Sequence, residues 1–307
     1  MTAALSIIIV SYNTREVTLD CVRSVFAHPP AVPFEVILID NASADGSAGA
    51  VAQQFPQVRL IESGGNLGFA GANNIAAGAA VGQRLLLLNP DTIVLPGSLT
   101  ALWEFADRLA DRGIWGGRTL FEDGSLNPTS CWARITPWSL FCSAVGLTWL
   151  FPRSALFNPE SYGGWARDSE REVDIVTGCF LLIDRALWER LGGFDPLFFM
   201  YAEEADLCLR AARMGARPTV TPAAEIVHLG GRAETSHIDK TIKVARGRIT
   251  LIRKHWPAGR RAFGVLLFRF WAFSRAAAAR VAARPGSEAR DKWGAIWRRR
   301  GEWLGGY

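Results

Sequence analysis

One carboxylate in this sequence is placed to hold a metal cation and a phosphate. Asp91 follows the run from Arg84 to Leu88, whose consecutive leucines predict a strand buried on both faces of a parallel sheet. Open α/β sheets bind ligands at the carboxyl ends of their strands, where neighbouring loops diverge. A carboxylate there can hold a divalent cation, which in turn can hold a diphosphate. By itself, the Asn-Pro-Asp turn at 89–91 is also ordinary turn chemistry.

A second acidic group, formed by Glu203, Glu204 and Asp206, is placed for proton transfer. The apolar run 198–201 leads directly into it, which predicts partial burial, and burial raises the pKa of a carboxyl toward the range of a general base. Glu203 and Asp206 share a helical face, whereas Glu204 points about 100° away. Simple helix electrostatics would also place acids in a first helical turn.

Other polar residues follow the remaining predicted strands. They are Ser11, Tyr12, Asn13, Asp40, Asn41, Ser43 and His228. Taken singly, each is more often a turn former, a cap or a core residue than a ligand. Because the carboxyl ends of parallel strands meet at one edge of a sheet, Tyr12, Asp40 and Asp91 are predicted to converge there. His228 is a candidate because neutral imidazole can bind a divalent metal.

Strands and helices alternate through the first hundred residues, which predicts βαβ units. Strands are predicted at 5–10, 34–39, 58–61, 84–88, 114–120, 177–183 (within the segment 173–183) and 219–227. Helices are predicted at 47–54, 69–81, 96–111, 185–191 and 203–214. A further helix is predicted after Asn13, because Asn13 and Glu16 have the spacing of an N-cap and a carboxylate that reaches back to it. Between 121 and 168 the pattern has no period, which predicts loops and short helices.

Composition places the chain among folded intracellular proteins. Its 307 residues are 49% hydrophobic and 21% charged, enough for one large domain or two. Five scattered cysteines lack metal-binding or paired spacing, which favours a reducing cytosolic compartment. The opening apolar segment has no basic flank, so it predicts a first strand and not a secretion signal.

Basic charge is concentrated at the C-terminal end. Residues 253–307 hold thirteen Lys or Arg against three carboxylates, although the whole chain is only +5. An anionic surface, membrane or nucleic acid, is the partner that such asymmetry indicates. Arg269, Arg275 and Arg280 interrupt the apolar stretch 262–283 and argue against a membrane span, so an amphipathic helix in the membrane interface is predicted. The alternative is a helix pair that packs on the domain.

Five ordered motifs, at 7–13, 39–47, 66–74, 88–91 and 193–210, resemble those of family 2 glycosyltransferases, most of all the rhamnosyltransferase-type branch. The resemblance runs from Leu5 to Gly231. It implies a GT-A fold: an α/β, Rossmann-like, mostly parallel central sheet flanked by helices, followed here by a helical C-terminal extension. The implied segments are a nucleotide-sugar-binding α/β half at 1–120, an acceptor-binding and catalytic half at 121–235, and the basic, Trp-rich extension at 236–307.

The resemblance also implies which residues bind the donor. Tyr12 corresponds to a residue that contacts the nucleoside, and Asp40 to a carboxylate that accepts a hydrogen bond from the imide N–H of the base. The segment around Gly68 lines the nucleotide. The full implied donor-binding set is Ser11, Tyr12, Asn13, Asp40, Asn41, Ser43, Asn66, Gly68, Asn73, Asn89 and Asp91.

Metal and base positions follow from the same resemblance. Asn89 and Asp91 occupy the DxD motif, in which Asp91 would bind Mg²⁺ or Mn²⁺, with His228 close to the metal or the phosphates. Asn89 replaces the first acid, which removes one anionic ligand. The base is the second acid of a pair, here Glu204, with Glu203 as the alternative. Direct displacement with inversion is implied.

The implied activity is an inverting hexosyltransferase that uses dTDP-L-rhamnose, with UDP-hexoses as the second choice. The implied acceptor is a cell-envelope glycan on a polyprenyl carrier, met at the cytoplasmic face of the membrane, with the basic extension as a peripheral membrane contact and no nucleic-acid partner. A nucleotidyltransferase is expected to have a basic, Gly-rich loop after the first strand, where only Arg15 is present. A binding module without catalysis would not require Asp91 or Glu204.

Overall fold

The computed structural model describes residues 3–230, 236–284 and 286–307. The strands are β1 (Leu5–Ser11), β2 (Phe34–Asp40), β3 (Arg59–Glu62), β4 (Arg84–Leu88), β5 (Thr92–Val94), β6 (Ile114–Leu120), β7 (Leu126–Asn127), β8 (Cys131–Trp132), β9 (Arg171–Glu172), β10 (Ile175–Val176), β11 (Phe180–Asp184) and β12 (Thr219–His228). The α-helices are α1 (Arg15–Ala27), α2 (Ser47–Gln54), α3 (Gly68–Ala79), α4 (Ser98–Arg108), α5 (Pro137–Ala144), α6 (Leu147–Leu150), α7 (Arg185–Leu191), α8 (Glu203–Arg213), α9 (His237–His255), α10 (Ala258–Ala282), α11 (Glu288–Arg298) and α12 (Gly301–Leu304). Gly231 and the last residue of the predicted 121–235 segment lie outside the described residues.

The chain forms two compact units that interleave in sequence. The first contains Met1–Trp132, Ala166–Phe199 and Glu203–Ala233, and the second contains Ala133–Trp165, Met200–Ala202 and Glu234–Tyr307. Residues 133–165, part of the predicted acceptor-binding half, therefore group with the C-terminal helices. The functional division at 120 and 235 stays a prediction.

A mostly parallel sheet forms the centre of the first unit. Within the described residues it has ten strands, in the order β3-β2-β1-β4-β11-β6-β12-β5, with β7 beside β6 and β9 beside β12. The strands β3, β2, β1 and β4 run parallel, and β11 runs antiparallel to both β4 and β6. This arrangement confirms the predicted α/β fold. It also brings the carboxyl ends of β1, β2 and β4 to one edge, with Ser11 paired to Asp40.

Burial explains why these segments form strands. Every residue of β1 and of β4 is buried, as predicted for strands covered on both faces. Arg84 at the start of β4 is also buried, and it is neutralised there by Asp107 and Asp184. The site residues that follow β4 therefore extend from a rigid part of the core.

Two predicted elements need correction. Helix α1 begins at Arg15 with Thr14 at its N-cap, because Asn13 has a φ of 53° and its side chain accepts a hydrogen bond from Ala44 N instead. The predicted strand 177–183 begins only at Phe180, as β11, because residues 177–179 form a turn after β10. A hydrogen bond from Phe180 N to Thr177 O closes this turn.

The second unit is helical and has a core of its own. Ile249, Phe268 and Trp303 are buried at its centre, and α10 packs against α5, α9 and α11. By length and composition alone, α10 could cross a membrane. Its buried face carries Leu267, Phe268 and Ala272, whereas Phe263, Leu266, Phe270 and Phe273 remain exposed. The helix thus packs on its own unit and still presents an apolar stripe.

Candidate active site

Asp40 ends β2 as a buried carboxylate with one oxygen held and one uncommitted. Its Oδ2 accepts a hydrogen bond from Ser43 N at 2.9 Å. In the described part of the chain its buried Oδ1 has no hydrogen-bond partner. A buried acceptor without a partner is costly, so the site favours a ligand that donates to it. Tyr12, which follows β1, the strand paired with β2, is 38% exposed.

Loops after β1 and β2 are joined by reciprocal hydrogen bonds. Asn13 N donates to Ser43 Oγ at 3.0 Å, and Ala44 N donates to Asn13 Oδ1 at 2.8 Å. Asn13 and Ala42 have φ values of 53° and 65°. Such left-handed conformations are strained for residues other than glycine, and they cluster at functional loops. Asn13 and Ser43 therefore shape the loops that flank Tyr12 and Asp40.

Asn41 connects β2 to the loop that opens α3. Its Nδ2 donates to Asn66 Oδ1 at 3.1 Å and to Gly68 O at 3.2 Å, and its Oδ1 accepts from Leu67 N at 2.9 Å. Gly68 has a φ of 70°, and a Cβ there would lie 2.1 Å from Phe199 O. Only glycine fits this close approach.

Asn41, Asn73 and Ser11 are among the predicted donor-binding residues whose side chains form hydrogen bonds inside the protein. The Asn41 amide is engaged as described above, Asn73 is buried and donates to Phe69 O at 2.9 Å, and the buried Ser11 hydroxyl lies 3.2 Å from Thr18 Oγ1. They hold the loops in place. A direct contact of their side chains with a donor stays a prediction.

Asp91 and His228 meet at the far end of the same edge. The register of β5 on β12 pairs Thr92 with His228, and Leu229 N donates to Asp91 O at 2.9 Å. His228 Nε2 consequently lies 3.2 Å from Asp91 Oδ1, and both side chains are largely buried. The predicted proximity of these two candidate ligands is present in the structure.

A positive charge is favoured beside Asp91. Burial lowers the pKa of His228, but interactions with Cys179 and Asp91 outweigh burial and raise that pKa to about 10. The charge can be the imidazolium itself or a divalent cation, whose binding requires the imidazole to lose its proton. The sequence analysis did not predict a role for Cys179. The Thr-Gly-Cys sequence at 177–179 could have indicated a turn there, but the apolar pattern around it predicts a continuous strand.

The donor atoms of Asp91 and His228 fit a divalent cation. Cis ligands of an octahedral site with bonds of about 2.1 Å lie about 3 Å apart, close to the observed 3.2 Å. Among the described residues no group of three or more His, Cys, Asp or Glu side chains could hold a metal. A cation here would therefore take most of its ligands from phosphate oxygens and water, as Mg²⁺ commonly does.

Glu203 and Glu204 open α8 in different environments. A Cβ built on Gly178 would lie 3.6 Å from Glu204 Cβ, so Glu204 starts against the turn that carries Cys179. Glu203 is 4% exposed, and its Oε2 has no hydrogen-bond partner in the described structure. Burial, and then the charge of Glu204, raise the pKa of Glu203 well above its usual range. Glu203 is therefore the more deeply buried of the two carboxyls, and Glu204 is the residue beside the turn.

The first unit thus combines a mostly parallel sheet with buried carboxylates along the carboxyl edge of its strands and an acid at a helix start. These features are typical of α/β proteins that bind nucleotides at the carboxyl edge of the sheet. Residues 6–191 match the profile described as Glycosyl transferase family 2. The chain belongs to this family and is a glycosyltransferase of the hexosyltransferase type, which confirms the predicted resemblance and sets aside the nucleotidyltransferase and the binding module.

Similar proteins support the rhamnosyltransferase-like branch. The chain is 34% identical over 225 residues to N-acetylglucosaminyl-diphospho-decaprenol L-rhamnosyltransferase of Mycobacterium tuberculosis, covering 67% of this chain and 71% of the relative. It is 27% identical over 193 residues to rhamnosyltransferase WbbL of Escherichia coli K12, covering 59% of this chain and 68% of that protein.

The fold is GT-A, as predicted. The mannosyltransferase PcManGT from Pyrobaculum calidifontis, solved in complex with GDP-Man and Mn²⁺, superposes with a TM-score of 0.59 at 17% sequence identity, covering 98% of this chain and 86% of that chain. At this identity the likeness concerns the fold alone.

Proposed function

We propose that this protein transfers L-rhamnose, with inversion, from dTDP-L-rhamnose to a hydroxyl of a glycan carried on a polyprenyl diphosphate. The mycobacterial relative, named as an L-rhamnosyltransferase of N-acetylglucosaminyl-diphospho-decaprenol, supports both the sugar and the lipid-linked acceptor. The observation that carries the proposal is the position of Asp91 and His228, 3.2 Å apart at the strand edge.

Tyr12 and Asp40 would bind the pyrimidine base of the donor. The exposed Tyr12 ring offers a stacking surface. The buried Asp40 Oδ1, without a partner in the described residues, is suited to accept a hydrogen bond from an imide N–H. Thymine and uracil both carry this donor, so a UDP-hexose is the alternative. The shape of the pocket around the sugar would then decide between the two donors.

Asp91 and His228 would hold Mg²⁺ or Mn²⁺ at the donor diphosphate. The cation, when bound, supplies neutralisation of the charge that develops on the leaving nucleoside diphosphate. Asn89 adds no charge, but its backbone is fixed by a hydrogen bond from its N–H to Cys179 O at 3.1 Å. With one carboxylate and one imidazole, the protein contributes fewer anionic ligands than two acids would.

Glu204 would act as the general base. It takes the proton of the acceptor hydroxyl as that oxygen attacks C1 of the sugar, and the bond between C1 and the diphosphate oxygen breaks on the opposite face. The configuration at C1 is inverted because one displacement occurs. Glu203 is less suited to the role, because its side chain is only 4% exposed and burial disfavours the charged form of its carboxyl.

The acceptor implies work at the cytoplasmic face of a membrane, with peripheral attachment. The exposed stripe of Phe263, Leu266, Phe270 and Phe273 on α10 supports this, since an amphipathic helix lies in a membrane interface with such residues in the lipid. Exposed arginines on the same helix, among them Arg269 and Arg280, suit anionic headgroups.

The test is a transfer assay with purified protein, a short-chain polyprenyl-diphospho-N-acetylglucosamine acceptor and a panel of donors. We expect product with dTDP-L-rhamnose, weaker transfer from UDP-hexoses, loss with EDTA and recovery with Mn²⁺ or Mg²⁺. Transfer from a UDP-hexose alone would replace the proposed donor by its alternative. Full activity in EDTA would contradict the role of the cation.

A further inference from the structure

The second unit contains a cavity of about 530 Å³, and none of the residues that line it has a role in the donor binding or catalysis proposed above. Helices α5, α9, α10 and α11, together with the segment 158–161, line it. Its walls combine cationic, hydroxyl and aromatic side chains, and every lining residue belongs to this unit. A cavity of this size matches ligand pockets, which range from about 300 to 1,000 Å³.

One face of α9 carries the polar wall. His237, Lys240 and Thr241 stand at positions that share a helical face, and all three line the cavity. They lie in the first turns of a 19-residue helix, whose N-terminal dipole favours an anion. The dipole and the lysine ammonium therefore act in the same direction.

Lys292 of α11 adds a second ammonium to the same cavity. Lys240 and Lys292 are both half-buried, and in the described structure neither forms an ion pair. Glu160, the carboxylate among the lining residues, does not neutralise the two ammonium groups. Glu160 is already engaged, accepting from Arg248 Nη2 at 2.7 Å and from Ser139 Oγ at 2.8 Å. Two uncompensated ammonium groups in one cavity favour an anionic ligand.

Two tryptophans form the aromatic part of the lining, and the Lys292 ammonium lies 5.9 Å from the centroid of the Trp293 ring. The rings of Trp271 and Trp293 meet edge to face, with centroids 5.3 Å apart. The guanidinium of Arg275 lies 4.7 Å from the Trp271 ring and 5.7 Å from the Trp293 ring, and it donates to Ser143 O at 3.0 Å. This cation holds both rings in place. The ligand therefore meets a rigid apolar surface beside the ammonium groups.

We propose that this cavity binds a diphosphate ester of an apolar alcohol. Lys240, Lys292 and the N-terminus of α9 would bind the diphosphate, and Trp271 and Trp293 would contact the first carbons of the alcohol. If the proposed function holds, the ligand is the diphosphate of the lipid-linked acceptor, so this inference deepens that function.

Calorimetric titration of the full chain with farnesyl diphosphate tests the proposal. The titration contains EDTA and saturating dTDP, so that the donor site cannot contribute. We expect binding at least about tenfold weaker in Lys240→Gln and in Lys292→Gln, since each variant loses a hydrogen bond to a charged group. Lys243→Gln removes the same charge from α9 outside the cavity and is expected to bind as the wild type does.

The remaining arms distinguish the possible sources of the anion. Inorganic pyrophosphate and farnesol are each expected to bind at least about tenfold more weakly than farnesyl diphosphate, because each lacks one half of the ligand. Equal binding of pyrophosphate would overturn the lipid part, and an equal loss in all three lysine variants would overturn the site. Vesicles of phosphatidylglycerol that compete fully with farnesyl diphosphate would assign the cavity to a lipid headgroup and contradict the proposal.

These measurements do not depend on sugar transfer. The protein could bind farnesyl diphosphate through Lys240 and Lys292 and yet be inactive with every donor. This result would support the proposed cavity site and contradict the proposed function. Transfer to the lipid-linked acceptor that is unaffected by either substitution, together with no farnesyl diphosphate binding, would do the opposite.

Discussion

At the residue scale, the two adjacent glutamates at the start of α8 have different proposed roles: Glu204 is the general base and Glu203 is a buried carboxyl. Glu204→Gln removes the proposed proton acceptor, and we expect kcat to fall by about 10²–10⁴-fold, the usual contribution of a general base. Glu203→Gln keeps the size of a buried side chain whose charged form burial already disfavours, so we expect near-normal kcat. Both variants are compared in the transfer assay at pH 7 and checked for dTDP binding. The opposite ranking would make Glu203 the base.

Stability gives a second readout for the same pair. The pKa of Glu203 is raised in the folded protein above the unfolded value of about 4.3. Folding therefore takes up a proton above that pH, which costs stability as pH rises toward the folded pKa. We expect Glu203→Gln to have a higher Tm than the wild type at pH 7, with the difference shrinking as pH falls toward 4. A wild-type Tm above that of the variant at pH 7 would show that Glu203 is ionised in the fold.

Several of these residues could be predicted from sequence, for a physical reason. Asp40, Asp91 and His228 each follow a strand whose apolar pattern is unambiguous, and strand ends fix where a side chain lies. Cys179 could not be predicted, because its contact with His228 depends on a turn inside an apolar run. The sequence also does not reveal that the Asn41 side-chain amide forms hydrogen bonds with the loop at 66–68.

At the element scale, Gly68 fixes how α3 starts. A Cβ there would meet Phe199 O at 2.1 Å, and the φ of 70° already disfavours other residues. We expect Gly68→Ala to cost at least about 2 kcal/mol of stability and to weaken dTDP binding, because the loop it shares with Asn41 must move. Denaturant unfolding and a dTDP titration measure the two effects.

Gly78 in the same helix is the matched control. A Cβ at Gly78 would have no atom within 4 Å, so Gly78→Ala is expected to stabilise the protein by about 0.5–1 kcal/mol through the unfolded chain. Equal effects of the two substitutions would mean that helix propensity, and not the contact with Phe199, decides the outcome at Gly68.

Elements with strong local signals match the sequence prediction closely. The strand Ile114–Leu120 and the helix Arg185–Leu191 have the predicted bounds, since apolar periodicity and the glycines that flank them are local properties. The start of α1 differs from the prediction because the Asn13 side chain accepts a hydrogen bond from Ala44 N, thirty-one residues away, and does not cap the helix. Contacts of that range are invisible to a pattern read along the chain.

At the scale of the whole molecule, the division into interleaved units could not be read from the sequence. Residues 133–165 carry no period, and they join the C-terminal helices through contacts such as the burial of Leu140 beside Ile249 and Phe268. A consequence follows for experiments on the membrane. A chain truncated after Trp256 would lose Phe268 and Trp303 from this core, so truncation would unfold the second unit instead of testing its surface.

Point substitutions on the exposed stripe of α10 test membrane attachment without that damage. Phe263, Leu266 and Phe270 are exposed, and burying such side chains in lipid is worth about 1.5–3 kcal/mol each when complete. The triple variant Phe263→Ser, Leu266→Ser, Phe270→Ser leaves Phe273 on the Trp297 ring and is expected to bind anionic vesicles at least about tenfold more weakly, with little change in Tm, in a co-sedimentation assay. The control replaces Ile75, Val81 and Met214, three exposed apolar residues of the first unit, with serine. Equal vesicle binding by the wild type and the α10 variant would assign the stripe to another role, because apolar contact is the only attraction that the three substitutions remove while the arginines of α10 stay in place.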